Sequence, residues 1–484
     1  MANNQKSVVS NMIWRFAERI GAQGITFVVS VVLARLLDPA HYGQIALVTV
    51  FLNILQVFVD SGLGNALIQK KDADDKDFST VFYFNMAMCT VLYIGLFIAA
   101  PWIAKFYKDM SLVPIIRVIG ITLLISGVKN VQQAYVSRQM IFKKFFFATL
   151  GGTLFSAVLG IVMAYFGAGT WALVAQQLSN TCIDTLILWL VVKWRPKWMF
   201  SFDRLKHLFS FGWKLLVSAL LDTVYNDLRQ LIIGKKYTKE DLAYYNNGQR
   251  IPNLVVTNIN TSIGSVLFPA LSKEQDRPDL VKQHVRLAIK TSSFIMWPML
   301  LGMAACAEPL VRIILTDKWL PAVPYMQIAC FVYGMMPIHT ANLQAITAMG
   351  RSDMFLRLEV IKKVIGIAVL LISMRYGVIA IAASAIFTGI LSMFINAWPN
   401  RDLLHYYYSE QIADMAPSFI LAFLMFIVVM QINRLALSPI LLLLIQVPCG
   451  VAFYILGALI FKLDSLPFVL QYVKKTLQKI KNKK

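Results

Sequence analysis

Residues 79–104 read STVFYFNMAMCTVLYIGLFIAAPWIA and contain no charged side chain. An α-helix needs about 20 consecutive apolar residues to cross the hydrocarbon core of a bilayer, so this stretch predicts a membrane-spanning helix. Comparable apolar blocks recur along the chain and predict an all-α polytopic membrane protein with about fourteen transmembrane helices. The predicted spans are residues 13–37, 42–68, 79–104, 112–136, 146–167, 170–193, 208–234, 243–271, 288–315, 322–349, 354–375, 377–399, 415–434 and 438–461.

The composition of the chain also favours a membrane protein. Of its 484 residues, 58% are hydrophobic and 15% are charged, whereas soluble domains are about half apolar and a quarter charged. The net charge is +21, which in a soluble protein would suggest nucleic-acid binding. Here the basic residues fall in the short connections between apolar blocks. We therefore interpret them as topology signals beside anionic lipid, and we expect no nucleic-acid partner.

Lys and Arg are distributed unevenly between alternate connections. The connections on the side of the two predicted termini carry more than twice as many as those on the opposite side. Because basic loops stay in the cytoplasm, both termini are predicted to be cytoplasmic. The polar first residues, followed by no small-residue cleavage site, also predict that there is no cleavable signal peptide.

No motif in the sequence indicates covalent chemistry. The five cysteines lie inside apolar blocks without a CxxC pair, and the five histidines are scattered without metal-ligand spacing. There is no nucleophile elbow and no P-loop. We therefore expect no enzyme activity, cofactor or metal. Active transport would then depend on the gradient of an ion, H+ or Na+, or on the gradient of the solute.

A weak internal repeat is visible. AAPWIAKFY (99–107) is echoed by CAEPLVRII (306–314), and Trp14-Arg15 is echoed by Trp213-Lys214. The two copies are about six predicted spans apart, which preserves their orientation in the membrane. This spacing predicts a parallel repeat about an axis along the membrane normal. Chance similarity between apolar segments is the alternative.

Polar side chains form stripes along several predicted spans, at spacings of three or four residues that keep them on one helix face. A charge at the bilayer centre costs about 2.5–3.5 kcal/mol on insertion scales. We therefore predict that the stripes line a wet, slightly cationic cavity between two halves of the protein, suited to phosphate oxygens. The alternative is that these side chains snorkel to the interface or form structural pairs. The candidate substrate-binding residues are Arg15, Glu18, Arg19, Asp60, Lys214, Asp222, Asn226, Arg229, Arg250 and Asn253.

Several motifs in order along the first two-thirds of the chain resemble those of the Wzx-type polysaccharide transporters. The similarity is greatest to the WzxC-like branch of the MATE-like multidrug/oligosaccharidyl-lipid/polysaccharide (MOP) exporter superfamily. The motifs are LARLLDPAHYG (33–43), VDSGLGNALIQKK (59–71), SRQMIFKKF (137–145), GTWALVAQQ (169–177), WRPKWMFSF (194–202), FSFGWKLL (209–216), VLFPALSKEQD (266–276) and KWLPAVP (318–324).

The resemblance implies a fold of two six-helix bundles, expected at 1–206 and 207–405, two additional transmembrane helices at 406–462 and a basic cytoplasmic tail at 463–484. It also implies a flippase of the bacterial cytoplasmic (inner) membrane. The expected substrate is an undecaprenyl-diphosphate-linked oligosaccharide, moved to the outer leaflet for O-antigen, capsule or exopolysaccharide synthesis. Membrane lipids and a polysaccharide polymerase complex are the further partners it suggests.

Two other functions stay open from the sequence. A MATE-like ion-coupled exporter of small molecules would be expected to have mainly acidic residues in its cavity, whereas here basic residues slightly outnumber acidic ones. A membrane glycan polymerase or ligase would be expected to carry a sizeable outer loop with catalytic groups, and the predicted connections are all short.

Overall fold

The computed structural model describes residues 2–60, 63–70, 72–139, 141–467 and 471. Within these residues the secondary structure is entirely helical. The predicted basic tail lies largely outside the described residues. Contacts divide the chain into two compact units, Met1–Ala243 and Tyr244–Lys484.

Among the described residues, the first unit contains nine complete helices. They are α1 (Ala2–Leu36), α2 (Pro39–Asp60), α3 (Leu63–Gln69), α4 (Asp75–Tyr107), α5 (Leu112–Ile119), α6 (Ile121–Arg138), α7 (Phe142–Tyr165), α8 (Thr170–Val191) and α9 (Phe202–Lys236).

The second unit begins within α10 and also contains a short 3-10 turn, Asp317–Ala322. Its helices are α10 (Lys239–Lys273), α11 (Pro278–Ala305), α12 (Ala307–Ile314), α13 (Val323–Gly334), α14 (Met336–Ala348), α15 (Ser352–Ser373), α16 (Val378–Leu404), α17 (Tyr408–Ile432) and α18 (Pro439–Ile460).

Each of the fourteen predicted spans coincides with one helix or with two consecutive helices. Ten helical segments of the described chain are long and apolar enough to cross a membrane. The predicted spans outside this group of ten are α8, α9, α15 and the pair α13–α14. The first three carry several polar or charged side chains, and the pair is interrupted at Met335. The prediction of an all-α multi-pass membrane protein is therefore confirmed.

The core of the first unit joins α3, α4, α6 and α8 through fully buried aliphatic side chains such as Leu67, Val81 and Leu188. Close helix approach depends on small residues. At Gly152 on α7, an added Cβ would lie 3.0 Å from the backbone oxygen of Asn180 on α8. A larger residue at this position would therefore push the two helices apart.

The connection into α4 ends in a polar clamp. The Asp74 carboxylate accepts a hydrogen bond from the backbone N–H of Asp77 (3.0 Å) and another from the Arg204 guanidinium at the start of α9 (2.6 Å). Partial burial acts to raise the pKa of the Asp74 carboxyl, but these donors outweigh it and hold that pKa below its usual value. The clamp ties the start of α9 to the start of α4.

In the second unit, α11 packs along α17. The buried Trp297 ring on α11 meets Phe419 of α17, with ring centroids 4.7 Å apart. Gly334 at the end of α13 lies directly against the Trp297 ring, because it has no Cβ to occupy that space. The α17–α18 pair, predicted as two additional helices, contributes to the same core.

Candidate functional site

The polar stripe of α1 begins beside an aromatic cluster. Trp14 packs edge-on against Phe146 of α7, with centroids 5.1 Å apart. Arg19 is exposed and Glu18 is half-buried, and Glu18 takes part in an interaction. The side chain of Arg15 lies outside the described part of the chain. Among the side chains of this stripe that the structure describes, Arg19 is an accessible cation, on a helix whose later turns bury Val29 and Leu33 in the core.

Asp60, at the end of α2, belongs to a chain of hydrogen bonds that crosses three helices. Its carboxylate accepts from the amide of Gln56 (3.0 Å) and, at 3.5 Å, from the amide of Asn130 on α6. Asn130 in turn accepts from Asn85 of α4 (3.4 Å). Three of the four side chains are neutral amides, so the hydrogen bonds join the three helices without placing like charges beside one another.

An ion pair inside the first unit joins Lys129 of α6 to Asp184 of α8. The two side chains are 19% and 12% exposed, so both charges are largely withdrawn from solvent. Asp184 is one of the polar side chains of the predicted span 170–193, whereas sequence reasoning missed Lys129. The missed signal was a lysine inside the apolar block 112–136, a position where an unpaired ammonium is costly.

The stripe of α9 divides into exposed and buried members. Asp222 and Asn226 are exposed, and the side chain of Lys214 lies outside the described residues. Arg229 is half-buried, and its guanidinium Nε is buried without a hydrogen-bond partner in the described chain. This donor is therefore left unpaired and out of contact with solvent.

Sequence reasoning also missed Asp227, the buried carboxylate of α9. It accepts hydrogen bonds from the amide of Asn53 on α2 (3.1 Å) and from Gln230 (3.2 Å). Asp227 immediately follows Asn226 of the predicted stripe, and it binds α9 to α2. The Asn53 amide on the facing helix was the available signal, although a single sequence does not show which stripes face each other.

In the second unit, the stripe of α10 borders a groove of about 610 Å3. Arg250 is half-buried and takes part in an interaction, whereas Asn253, one turn further on, is exposed and lines the groove. The opposite wall comes from α13 and α14. Of the predicted site residues, Arg250 and Asn253 thus belong to the second unit and the other eight to the first.

Further polar clusters hold the helices of the second unit together. Asn400 of α16 donates to the Asn342 side chain of α14 (2.6 Å), and Asn342 donates to Gln411 of α17 (2.8 Å). Arg286 of α11 binds Asp414 of α17 through two hydrogen bonds of 2.7 and 2.8 Å. The Arg286–Asp414 pair is satisfied within the protein, whereas the Asn400 amide oxygen is buried without a hydrogen-bond partner in the described chain. Both clusters join helices of the second unit, which favours a structural role. No group of three or more potential metal ligands occurs in the described part of the chain.

Long apolar helices in two compact units, with polar and charged side chains along several of them, define a polytopic helical membrane protein. Its family follows from its sequence. The model of the polysaccharide biosynthesis protein family matches residues 32–324, which is more than half of the chain, and the chain belongs to this family.

Three relatives illustrate the similarity. The teichuronic acid biosynthesis protein TuaB of Bacillus subtilis is 26% identical over 62% of this chain and 62% of that protein. The succinoglycan biosynthesis transport protein ExoT of Rhizobium meliloti is 24% identical over 69% of this chain and 67% of that protein. The lipopolysaccharide biosynthesis protein WzxC of Escherichia coli is 21% identical over 74% of this chain and 73% of that protein. The match thus covers less than two thirds of the Bacillus protein. The predicted resemblance to the WzxC-like branch is confirmed.

Solved structures share the fold. The lipid II flippase MurJ, in an inward closed conformation, matches with a TM-score of 0.75 at 16% identity, over 94% of this chain and 99% of that chain. An inward-facing multidrug resistance MATE family transporter of the MOP superfamily matches with a TM-score of 0.63 at 14% identity, over 81% of this chain and 98% of that chain. The predicted MATE-like fold is confirmed. The predicted bundle limits and the repeat axis stay predictions.

Proposed function

We propose that this chain is a flippase that moves undecaprenyl-diphosphate-linked oligosaccharide units from the cytoplasmic to the outer leaflet of the bacterial cytoplasmic membrane. The units would supply a surface polysaccharide such as O-antigen, capsule or exopolysaccharide. Membership of the polysaccharide biosynthesis protein family supports the proposal. So do relatives named for teichuronic acid, succinoglycan and lipopolysaccharide biosynthesis, and a fold shared with a lipid II flippase.

The observation that carries the proposal is Arg229 on α9, whose buried guanidinium Nε makes no hydrogen bond within the described chain. A buried donor without an acceptor is costly, so a bound acceptor would stabilise this position. Phosphate oxygens suit the planar fork of a guanidinium, which can donate two parallel bonds. Arg19 and Arg250 place two further guanidinium groups on α1 and α10.

The physical requirement is to carry a charged, hydroxyl-rich head group past hydrocarbon while its isoprenoid tail stays in lipid. A diphosphate and its sugars cannot cross an apolar layer unaided, because their charges and hydroxyls would lose their water partners. Cations along the helices compensate the diphosphate charge, and neutral polar side chains compensate the hydroxyls. In this proposal the protein supplies a polar route and performs no covalent step.

Energy for directional movement would come from a gradient, because the sequence contains no P-loop. An H+ or Na+ gradient, or consumption of the exported unit by a polysaccharide polymerase, could supply it. Both remain part of the proposal, as do the cytoplasmic placement of the two termini and the non-enzymatic character of the chain.

The cationic residues can be tested by substitution in proteoliposomes. Arg15, Arg19, Lys214, Arg229 and Arg250 are each changed to Ala, and the arginines also to Lys. The assay measures how fast undecaprenyl diphosphate bearing a fluorescent trisaccharide becomes accessible to a membrane-impermeant glycosidase. A charge-assisted hydrogen bond contributes about 1.5–3 kcal/mol. Loss of one should therefore weaken head-group binding by about 10- to 150-fold and slow translocation at subsaturating lipid.

The control is Arg401→Ala, because the Arg401 guanidinium is solvent-exposed and bonds to the adjacent Asp402 carboxylate. We expect this variant to translocate the lipid at the wild-type rate. Lys should partly restore function where charge alone matters and fail where two parallel bonds are needed. If all five Ala variants insert normally and translocate at the wild-type rate, the proposed cationic site is wrong.

A further inference from the structure

The groove beside α10 is lined by uncharged residues and contains none of the cations proposed to bind the diphosphate. It lies wholly within the second unit, between α10 on one side and α13 and α14 on the other. Its volume of about 610 Å3 falls within the roughly 300–1,000 Å3 of small-molecule pockets. Its lining residues are Asn253, Val256, Thr257, Asn260, Thr261, Gly264, Tyr333, Met336, Thr340 and Gln344.

No lining residue is charged, yet most are polar, and their hydrogen-bonding capacity is only partly used. The Thr257 hydroxyl donates to the side-chain oxygen Oδ1 of Asn253 (3.1 Å). The Thr340 hydroxyl donates to Oδ1 of Asn260 (2.9 Å). No hydrogen bond within the described chain uses the amide nitrogens of Asn253 and Asn260 or either end of the Gln344 amide. The groove therefore presents amide donors from both walls and one unused amide acceptor, the Gln344 oxygen, from α14.

This pattern selects the chemistry of a ligand. A diphosphate would find no cation among the lining residues. A hydrocarbon tail would leave the amides unpaired in apolar surroundings, which is unfavourable. A sugar hydroxyl both donates and accepts, as an amide side chain does, so several hydroxyls can pair with Asn253, Asn260 and Gln344. The half-buried side chains of Tyr333 and Met336 offer apolar surface to the less polar face of a pyranose.

We propose that this groove is a glycan subsite, which binds neutral sugar rings of the translocated unit through its amides. The inference rests on the proposed flippase function and divides recognition of the head group into two parts. Arg250 precedes Asn253 by three residues on α10, so the two side chains lie on neighbouring positions of one helix face. The diphosphate can therefore bind a cation while the first sugars enter the groove.

The test uses the purified full chain in nanodiscs and two probes. One probe is undecaprenyl diphosphate, and the other is the same lipid carrying a neutral triglucoside. The variants are Asn260→Leu, Gln344→Leu and Gln344→Ala. We expect each to bind the triglucoside lipid about 3- to 10-fold more weakly than the wild type, as for loss of one or two hydrogen bonds. Binding of the bare lipid should be unchanged, which also reports that the variants are folded.

The matched control is Asn258→Leu, which makes the same substitution on the same helix. Asn258 is outside the groove lining, and its amide donates to the backbone oxygen of Leu254 (2.8 Å). We expect this variant to bind both probes as the wild type does.

The outcomes separate the two proposals. The glycan subsite is overturned if the wild type binds both lipids with equal affinity. It is also overturned if the groove variants bind both lipids more weakly to the same extent. In either case diphosphate recognition stands. If the groove variants bind the triglucoside lipid as tightly as the wild type does, the subsite is likewise overturned. If the wild type binds neither lipid, the proposed function itself fails.

Discussion

At the scale of single residues, Lys129 and Asp184 show what a charge inside a helix bundle requires. Their side chains are largely withdrawn from solvent and meet as an ion pair between α6 and α8. Removing one partner of a buried pair leaves an uncompensated charge and costs about 3–5 kcal/mol, whereas removing both can be nearly neutral. Stability of the first unit should therefore depend on the match between the two charges more than on their presence.

We predict that Asp184→Asn and Lys129→Met, made singly, each lower stability by about 3–5 kcal/mol, and that the double variant recovers most of this loss. The measurement is the free energy of unfolding of the two single variants and the double variant, each purified in detergent. The exposed pair Arg401–Asp402 provides the control, since its removal should change stability by less than about 1 kcal/mol. A double variant that is less stable than both single variants would contradict the account.

At the scale of helices, most of the fold was predictable because each span leaves a local signal. Apolar length placed each of the fourteen predicted spans on one helix or on two consecutive helices. The ninth, 288–315, contains Pro298 and Pro309 and breaks at Cys306. The breaks at Gly120 and Met335 were not predicted, since the apolar blocks continue through both positions.

Contacts between helices were predictable only in part, because they depend on which faces meet. The pairs Lys282–Glu410 and Arg286–Asp414 join α11 to α17. Each helix carries its two charges four residues apart, so complementary rows were visible in the sequence, but 128 residues separate the partners. Asp227 was missed for the same reason, whereas Lys129 left a visible signal, a lysine inside an apolar block. The α14 residue that contributes an amide to the groove, Gln344, lies on a segment where no polar stripe was recognised.

The α11–α13 contact provides a prediction at this scale. Gly334→Ala should destabilise the second unit by about 1–3 kcal/mol, because the new methyl group would overlap the rigid Trp297 ring. The matched control is Gly95→Ala on α4, where an added Cβ meets no atom within 4 Å. There we expect a gain of about 0.5–1 kcal/mol from the higher helix propensity of alanine. Apparent melting temperatures in detergent test both, and equal shifts would refute the packing argument.

At the scale of the whole molecule, the charge of the connections predicts orientation in the membrane. More Lys and Arg on one side place both termini in the cytoplasm. Single cysteines at positions 70, 143, 197 and 475 should then be labelled only after permeabilisation of intact cells, and those at 108, 236 and 318 should be labelled from outside. Labelling of positions 236 and 475 from the same side would show that the number of spans between them is even and the fourteen-span topology wrong.

The family, the fold and the cations of α1, α9 and α10 together support movement of a lipid-linked glycan between leaflets. The most direct measurement reconstitutes the purified chain in liposomes that contain undecaprenyl diphosphate linked to a fluorescent trisaccharide. A membrane-impermeant glycosidase then reports the fraction of lipid in the outer leaflet. We predict that this fraction rises from the outward-facing share to nearly all of the lipid in proteoliposomes, with no rise in protein-free liposomes. Equal accessibility in both preparations, with the protein folded and inserted, would contradict the proposed flippase function.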